Sequence, residues 1–210
     1  MIKEPNNFPV QIKYDQTITL KNYARYRVQW ESKGYTFLTC GEKENKIECV
    51  ELIPQSIKIE NLANPGQYIP LEHFNQVNPN EILDLASNCH GFTFSYGKFF
   101  INTRFVPLIL EVEYIEVQDD KAINEGNFDV LVLFDKNGEA VHSARYQYEL
   151  FLHKEGTRNY SACKDVKDIL NISEYQDCSA RYYKKANRSC SGFCINSVTE
   201  PYTPLFKNQE

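Results

Sequence analysis

Alternation of apolar and polar residues marks the first third of the chain and predicts β-strands. Tyr26, Val28 and Trp30 are separated by single polar residues, which is the period of a strand buried on one face. Three further strand-like stretches follow, at residues 35–40, 47–53 and 56–60, with turn signals at Gly34 and Pro54. Residues 8–62 are therefore predicted to form a small β meander.

The middle of the chain changes from a turn-rich connector to buried elements. Residues 63–80 carry repeated Asn, Pro and Gly, and Asn80 is placed to cap a helix that starts at Glu81. Residues 106–117 are apolar and fit either a helix or a strand. The continuous apolar run at residues 129–134 is typical of a strand buried on both faces.

A hairpin is predicted directly after that buried strand. Asp135-Lys136-Asn137-Gly138 is a turn signal, and residues 139–146 alternate as a return strand. After Gly156 the chain is polar, with one predicted helix at residues 165–172. We expect an α+β fold with three parts: a β-rich region at 1–62, a core at 63–160, and a Cys-rich extension at 161–210 that is either separate or part of the same domain.

Composition and charge exclude several classes of function. The chain has 210 residues, is 42% hydrophobic and 24% charged, and carries a net charge of −5. It has no Lys/Arg block, so neither nucleic acid nor an anionic membrane surface is expected as a partner. No apolar run reaches the roughly 20 residues of a spanning helix. The first residues contain no apolar signal core.

Seven cysteines are the most informative part of the composition. Cys40 and Cys49 flank a polar loop between two strand-like stretches, where a hairpin would bring their sulfurs into bridging range. Four more cysteines lie in the last 50 residues, in a polar segment that crosslinks would stabilise: Cys163, Cys178, Cys190 and Cys194. These six are predicted disulfide partners. The alternatives are that all seven are reduced, or that the last four bind zinc, although their spacing matches no common zinc site.

Cys89 is the cysteine left over, and an odd thiol in an otherwise paired set is a candidate nucleophile. A thiol attacks as the thiolate, so it needs an imidazole to take its proton, and a helix N-terminus favours the anion. The imidazole needs a partner on its other nitrogen. His142 and His153 lie on the predicted strands after the buried one, whereas His73 is in the connector and His90 points away from its neighbour Cys89.

The segments Asn88-Cys89-His90-Gly91-Phe92-Thr93-Phe94 and Gly138-Glu139-Ala140-Val141-His142-Ser143-Ala144 together resemble the papain-like cysteine peptidase and amidase superfamily. The closest branch is the NlpC-type peptidoglycan hydrolases. The resemblance covers residues 80–156. It implies a helix that begins at the catalytic Cys and packs on an antiparallel sheet, with the base His on a following strand and a third polar residue on the next.

Carried over to this chain, the resemblance implies that Cys89 attacks an amide carbonyl and that His142 moves the proton. His153 would orient His142, with Glu149 as the alternative. Asn88, His90 and Gly91 would shape the site, and the Cys89 backbone N–H would bind the oxyanion. No metal and no cofactor are expected.

This arrangement requires the chain to turn between His142 and His153, but the sequence there contains no obvious turn signal. If residues 139–152 formed one strand, His142 and His153 would lie about 36 Å apart at about 3.3 Å per residue, on opposite faces of the sheet. A turn near residues 145–148 is therefore required, in a stretch without Gly or Pro.

We expect a secreted cysteine hydrolase that cuts a peptide bond of bacterial peptidoglycan. A small cell-wall hydrolase delivered into the periplasm or extracellular space of another bacterium would suit both the disulfides and the missing leader. An immunity protein that neutralises it is then an expected partner. The alternatives are a protease or protein deamidase that acts on a host protein, and a non-catalytic disulfide-bonded binding module in which Cys89 is a buried apolar residue.

Overall fold

A computed structural model describes residues 6–19, 25–38, 46–52, 56–70, 87–156 and 160–186 of the chain. The helix predicted from Glu81 and the connector histidine His73 lie outside the described residues. Twelve β-strands are described, together with four α-helices and a 3-10 turn at Thr103–Phe105. None of the described helices has the length and apolar character needed to cross a bilayer.

The fold is α+β, with two antiparallel sheets and short helices, as the alternation and the apolar runs predict. The first sheet contains six strands: β1 (Asn6–Thr19), β2 (Arg25–Leu38), β3 (Lys46–Leu52), β4 (Lys58–Asn61), β5 (Tyr68–Pro70) and β6 (Phe99–Ile101). The long strand β2 pairs with β1 along one side, and β3 and β4 share its other side. The region is β-rich as predicted, but it is not a meander, because β4 pairs with β2 and not with its predecessor β3. The turn predicted at Gly34 is wrong, because Gly34 pairs with Phe8 on one side and Val50 on the other and so lies inside β2.

The second sheet has the order β11-β10-β9-β8-β12-β7. Its strands are β7 (Tyr114–Val117), β8 (Val130–Phe134), β9 (Ala140–Gln147), β10 (Leu150–Lys154), β11 (Tyr160–Cys163) and β12 (Ser179–Lys185). All five residues of β8 are buried, which confirms the prediction for the apolar run. The hairpin turn before β9 is closed by a backbone hydrogen bond from Asp135 to Glu139 and by Gly138 at a φ of 80°.

Four helices pack on the two faces of the second sheet: α1 (Cys89–Ser95), α2 (Val106–Glu113), α3 (Asp120–Asn124) and α4 (Val166–Leu170). The ambiguous apolar segment at 106–117 is thus a helix that continues into a strand, β7. The helix predicted at 165–172 is α4, capped by Asp165, whose side chain accepts from the N–H of Lys167.

The face of the second sheet that carries Val130, Val132 and Phe134 packs against α1, α2 and the first sheet, and is called the helix face below. The opposite, outer face carries Leu131 and Leu133, and it packs against α4. This division follows from the strand period of two.

One core joins the region predicted at 1–62 to the region predicted at 63–160. Strand β6 pairs with β3, and Ile47 and Cys49 of β3 pack in the same cluster as Phe94 and Val132. Strand β12 of the predicted extension pairs with both β7 and β8. The three predicted parts therefore share sheets and core wherever they are described.

The predicted disulfides are not formed at the three described positions. Cys49, Cys163 and Cys178 have free thiols. Strand β3 pairs with β2 so that Cys49 lies opposite Tyr35, five residues before Cys40, and the buried Cys49 side chain fills a core position. Cys163 and Cys178 both pack against the outer-face core. The remaining three lie outside the described residues: Cys40, Cys190 and Cys194.

Candidate active site

Asn88 fixes the start of α1 against β6. Its side-chain Oδ1 accepts hydrogen bonds from the N–H of Gly91 at 2.9 Å and from the N–H of Ile101 at 3.2 Å. Its Nδ2 donates to the Ile101 carbonyl at 2.7 Å. The amide thus acts as a helix cap and at the same time pairs with a strand edge. A carboxylate could not make the donated bond, which gives a structural reason for Asn at this position.

Gly91 lets the helix approach β6 closely. A Cβ atom at this position would lie 1.7 Å from the carbonyl oxygen of Phe99, which is backbone and cannot move aside. Glycine is therefore required here for packing, and the role predicted for Gly91 in shaping the site is one of close approach.

His90 is buried and held by two hydroxyl groups. Its Nδ1 lies 3.0 Å from Ser143 Oγ, and its Nε2 lies 2.9 Å from Thr103 Oγ1. Thr103 donates its own proton to the Ala140 carbonyl, so it accepts from Nε2–H, and Ser143 donates to Nδ1. Burial lowers the pKa of His90 to about 4, which keeps the ring neutral. His90 therefore links α1 to β9.

Strands β9 and β10 form a hairpin that brings His142 close to His153. Its turn residues, Tyr148 and Glu149, have φ angles of 53° and 62°, and Gln147 pairs with Leu150. The turn thus lies slightly later than the predicted residues 145–148. His153 pairs with Ala144, so His142 is its diagonal neighbour on the outer face. Glu149, the alternative orienting residue, lies exposed at the turn.

The two imidazoles form a buried pair. The Nε2 of His142 lies 3.2 Å from the Nδ1 of His153, and the rings are nearly perpendicular, at 83°. The Tyr175 ring stacks on His142 with a centroid distance of 4.5 Å. Sequence reasoning missed Tyr175, because no local signal connects it with a strand more than 30 residues earlier.

His142 has one ring nitrogen without a partner. Its Nδ1 is buried and makes no hydrogen bond. Burial, followed by the nearby His153 and His90, lowers the pKa of His142 to about 3. The ring is therefore neutral, with Nε2 beside His153 and no partner at Nδ1. A general base needs such an open nitrogen, but it works best with a pKa near the working pH, and a pKa of about 3 makes His142 a weak base.

The Cys89 sulfur reaches β9 at Ser143, the residue that follows His142. Tyr146 N–H donates to the Asp129 carbonyl on the β8 side, so by the period of two the N–H of Ser143 points towards β10. The pairing of β9 with β10 ends at Ala144, and the Cys89 sulfur takes up the Ser143 backbone hydrogen bond instead.

Ser143 and His142 direct their side chains to opposite faces of the second sheet. Ser143 turns its side chain to the helix face, where it bonds His90, whereas the neighbouring His142 turns its ring to the outer face. Helix α1 and the His142 ring thus belong to different faces. No hydrogen bond joins the Cys89 sulfur to the His142 ring in the structure, so the two groups would have to approach each other for proton transfer.

Burial sets the protonation of Cys89. The side chain is 5% exposed, and desolvation raises the pKa of the thiol to about 11. Backbone groups of Ser143 and His90 lower it, as does the ammonium group of Lys154. Lys154 is itself buried, and its Nζ donates to Ser87 Oγ at 3.3 Å. Neither Lys154 nor Ser87 was predicted to belong to the site.

Among the described residues, no group of three or more His, Cys, Asp or Glu side chains is arranged to hold a metal ion. No protein-family model matches the chain, and comparisons with curated proteins and with solved structures found no similar protein.

Proposed function

We propose that this protein is a cysteine hydrolase that cleaves an amide bond through Cys89 and an acyl-enzyme. The observation that carries the proposal is the state of His142. Its Nε2 is engaged by His153 while its buried Nδ1 has no partner, and the next residue of its strand hydrogen-bonds the Cys89 sulfur. These groups match the order of nucleophile, base and orienting residue that the resemblance implies.

In the proposed reaction the Cys89 sulfur attacks the carbonyl carbon while Nδ1 of His142 takes the thiol proton. The C–N bond then breaks, and the same proton passes to the leaving amine. Water hydrolyses the thioester with His142 again acting as base, and this step restores the thiol. His153 accepts the hydrogen bond from Nε2–H throughout and so keeps Nδ1 available.

Burial determines the timing of proton transfer in this mechanism. It raises the pKa of Cys89 to about 11 and lowers that of His142 to about 3, so the resting pair is thiol and imidazole. Proton transfer must then accompany attack on the carbonyl. The ammonium group of Lys154 favours negative charge at the sulfur, and the N–H groups at the start of α1 are the expected donors to the oxyanion.

The proposed substrate is a peptide of bacterial peptidoglycan. This choice rests on the resemblance to the NlpC-type hydrolases. Delivery to the periplasm or extracellular space, and with it a neutralising immunity protein, was expected partly from disulfides, and that support is lost at Cys49, Cys163 and Cys178, whose thiols are free. A host protein, cut or deamidated by the same attack on a carbonyl, is the alternative substrate class.

The chemistry is tested separately from the substrate with p-nitrophenyl acetate. We expect acetylation of Cys89, measured by peptide mass spectrometry, together with release of nitrophenolate. Cys89→Ala should abolish both, and His142→Gln should slow acetylation at least about 100-fold because the general base is lost. Cys163→Ala, which removes a partly exposed thiol on β11, is the control and should react as the unaltered protein does.

The substrate is then tested with purified peptidoglycan. New muropeptides, separated by chromatography and absent with Cys89→Ala, are the expected result. If Cys89 is acetylated but no muropeptide appears, the cell-wall assignment is wrong and protein substrates become the leading class.

A non-catalytic binding module is the second candidate. The observation that favours it is the burial of Cys89 with a pKa of about 11, which also suits an apolar filler. A Cys89 that p-nitrophenyl acetate fails to acetylate at any pH between 6 and 10 would support this candidate and contradict the hydrolase.

A further inference from the structure

A cavity lies between the end of α1 and strands β8, β9 and β12. Its volume is about 160 Å³, enough for a small organic ligand. Its lining includes Thr93 and Tyr96, at the end of α1, and Arg145 of β9. Arg145 lies three residues beyond His142, and its side chain contacts α1 on the helix face, whereas the His142 ring is on the outer face. The proposed hydrolase chemistry does not use this cavity.

Arg145 is a buried cation held between two aromatic rings. Its guanidinium carbon lies 4.7 Å from the Phe92 ring centre and 4.3 Å from that of Tyr96. The side chain is buried, with the residue only 8% exposed. Such stacking fixes the plane of the guanidinium and leaves its N–H groups directed along the plane.

Arg145 has no carboxylate partner among the described residues. The ion pairs found there are Arg27–Glu60, Arg104–Glu48 and Lys121–Glu125. Desolvation lowers the pKa of Arg145, and the phenol groups of Tyr96 and Tyr114 only partly offset that effect. A buried charge is costly unless an opposite charge compensates it.

Two residues that line the cavity each have a buried polar atom without a hydrogen-bond partner. The atoms are Arg145 Nε and Thr93 Oγ1. Thr93 is 3% exposed, so its hydroxyl has no access to bulk solvent. An unpaired N–H and an unpaired hydroxyl, on two residues that line one small cavity, are groups that can bind an oxyanion.

The charges at the rim of the cavity point to a ligand with one negative charge. Asp129 and Lys185 are both exposed there, and Asp129 Oδ2 accepts the backbone N–H of Lys185 at 2.6 Å. Because the charges of Asp129 and Lys185 offset each other, the positive charge of Arg145 is the one that remains without a compensating charge at the cavity. A carboxylate fits this balance better than a phosphate dianion does, and Tyr96 and Tyr114 suit an apolar body attached to it.

We propose that this cavity binds a carboxylate, which bridges the Nε–H of Arg145 and the hydroxyl of Thr93. The ligand is either a free organic acid or the C-terminus of a peptide.

Titration with benzoate, followed by ¹H–¹⁵N correlation spectra that include the arginine Nε–H signals, tests the proposal. We expect saturable shifts of the Arg145 Nε–H and the Thr93 amide, and none with benzamide, which has the same shape without the charge. Gly-Gly-Tyr as the free acid and as the amide forms the second arm. Tighter binding of the peptide acid than of benzoate identifies a peptide C-terminus, and the reverse identifies a free acid.

Variants decide whether the cavity is responsible. Arg145→Met should abolish the shifts, and Thr93→Val, which keeps the shape, should weaken binding severalfold. Arg104→Met is the matched control, because Arg104 also stacks on a ring, that of Phe105, but is exposed and paired with Glu48; it should bind normally. The proposal is wrong if the Arg145 Nε–H of the unaltered protein does not shift, a result that needs no variant to fold.

Discussion

The protonation of Cys89 is decided by burial more strongly than by the charges around it. Lys154 and the N–H groups of Ser143 and His90 all favour the thiolate, yet desolvation outweighs them and the pKa is raised to about 11. The same burial keeps His142 neutral. The proposed nucleophile and the proposed base are therefore both uncharged in the resting protein.

The rate of Cys89 alkylation should therefore depend on pH up to the alkaline range. Since iodoacetamide reacts with the thiolate, we expect slow labelling at pH 7 and a rise of about tenfold per pH unit until the pH approaches 11. The rate is measured by mass spectrometry of the Cys89 peptide. Urea-unfolded protein is the reference, in which the same thiol should titrate near 8.5. A plateau that is already reached at pH 6 would show a thiolate–imidazolium pair and would contradict this account.

The hairpin of β9 and β10 is the element on which the histidine pair depends. A two-residue turn with both φ angles positive matches the twist of the strands, but Asn and Gly suit it better than Tyr148 and Glu149. Side chains with a Cβ are strained in this region of backbone space. The turn that places His153 beside His142 therefore carries backbone strain at Tyr148 and Glu149.

Relief of that strain should stabilise the protein. The double variant Tyr148→Asn/Glu149→Gly is expected to raise the free energy of unfolding by about 1 kcal/mol, because the native φ angles then cost less. Urea unfolding measures the change. Gln147→Gly, at the paired strand position just before the turn, is the control and should lower stability. If the double variant is no more stable than the parent, strain at this turn does not contribute significantly to the free energy of unfolding.

At the scale of the whole molecule, the two sheets share one core, and three neutral histidines are buried on the two faces of the second sheet. Ile47 of the first sheet and Val132 of the second pack in one cluster. His90, His142 and His153 all have lowered pKa values, chiefly through burial. Each is neutral in the folded state and takes up a proton on unfolding at acid pH.

Stability should consequently fall as the pH is lowered. The pKa values of these histidines in the folded state lie below the unfolded value of about 6.5, so the unfolded chain binds more protons. The free energy of unfolding therefore decreases as the pH falls from about 6.5 to about 4. Each fully neutral buried histidine contributes up to about 1.4 kcal/mol per pH unit in this range. Urea unfolding at pH 8, 6, 5 and 4 measures the slope, and His142→Gln should reduce it. A free energy of unfolding that is constant from pH 8 to 4 would contradict the buried neutral state.

Local patterns predicted several elements because these depend on nearby residues, but they missed α3 and β12 and placed a turn at Gly34, inside β2. The apolar run at 129–134, the Gly138 turn and the Asp165 cap all have short-range causes, and each is present in the structure. The disulfide prediction failed at the described positions because spacing along the chain does not fix register. Cys49 lies opposite Tyr35, and the strand period then buries its side chain.

By itself, the amino-acid sequence determined the α+β class and those strands and helices that have a clear side-chain period, since that period depends on nearby residues. A helix that begins at Cys89 was implied by the resemblance, and the structure adds Asn88 as its cap. Tertiary structure alone decided which groups meet. The approach of the Ser143 backbone to the Cys89 sulfur, the stacking of Tyr175 on His142 and the burial of Arg145 all come from contacts between residues distant in the chain. Such contacts depend on how sheets twist and pair, and no short stretch of sequence encodes that.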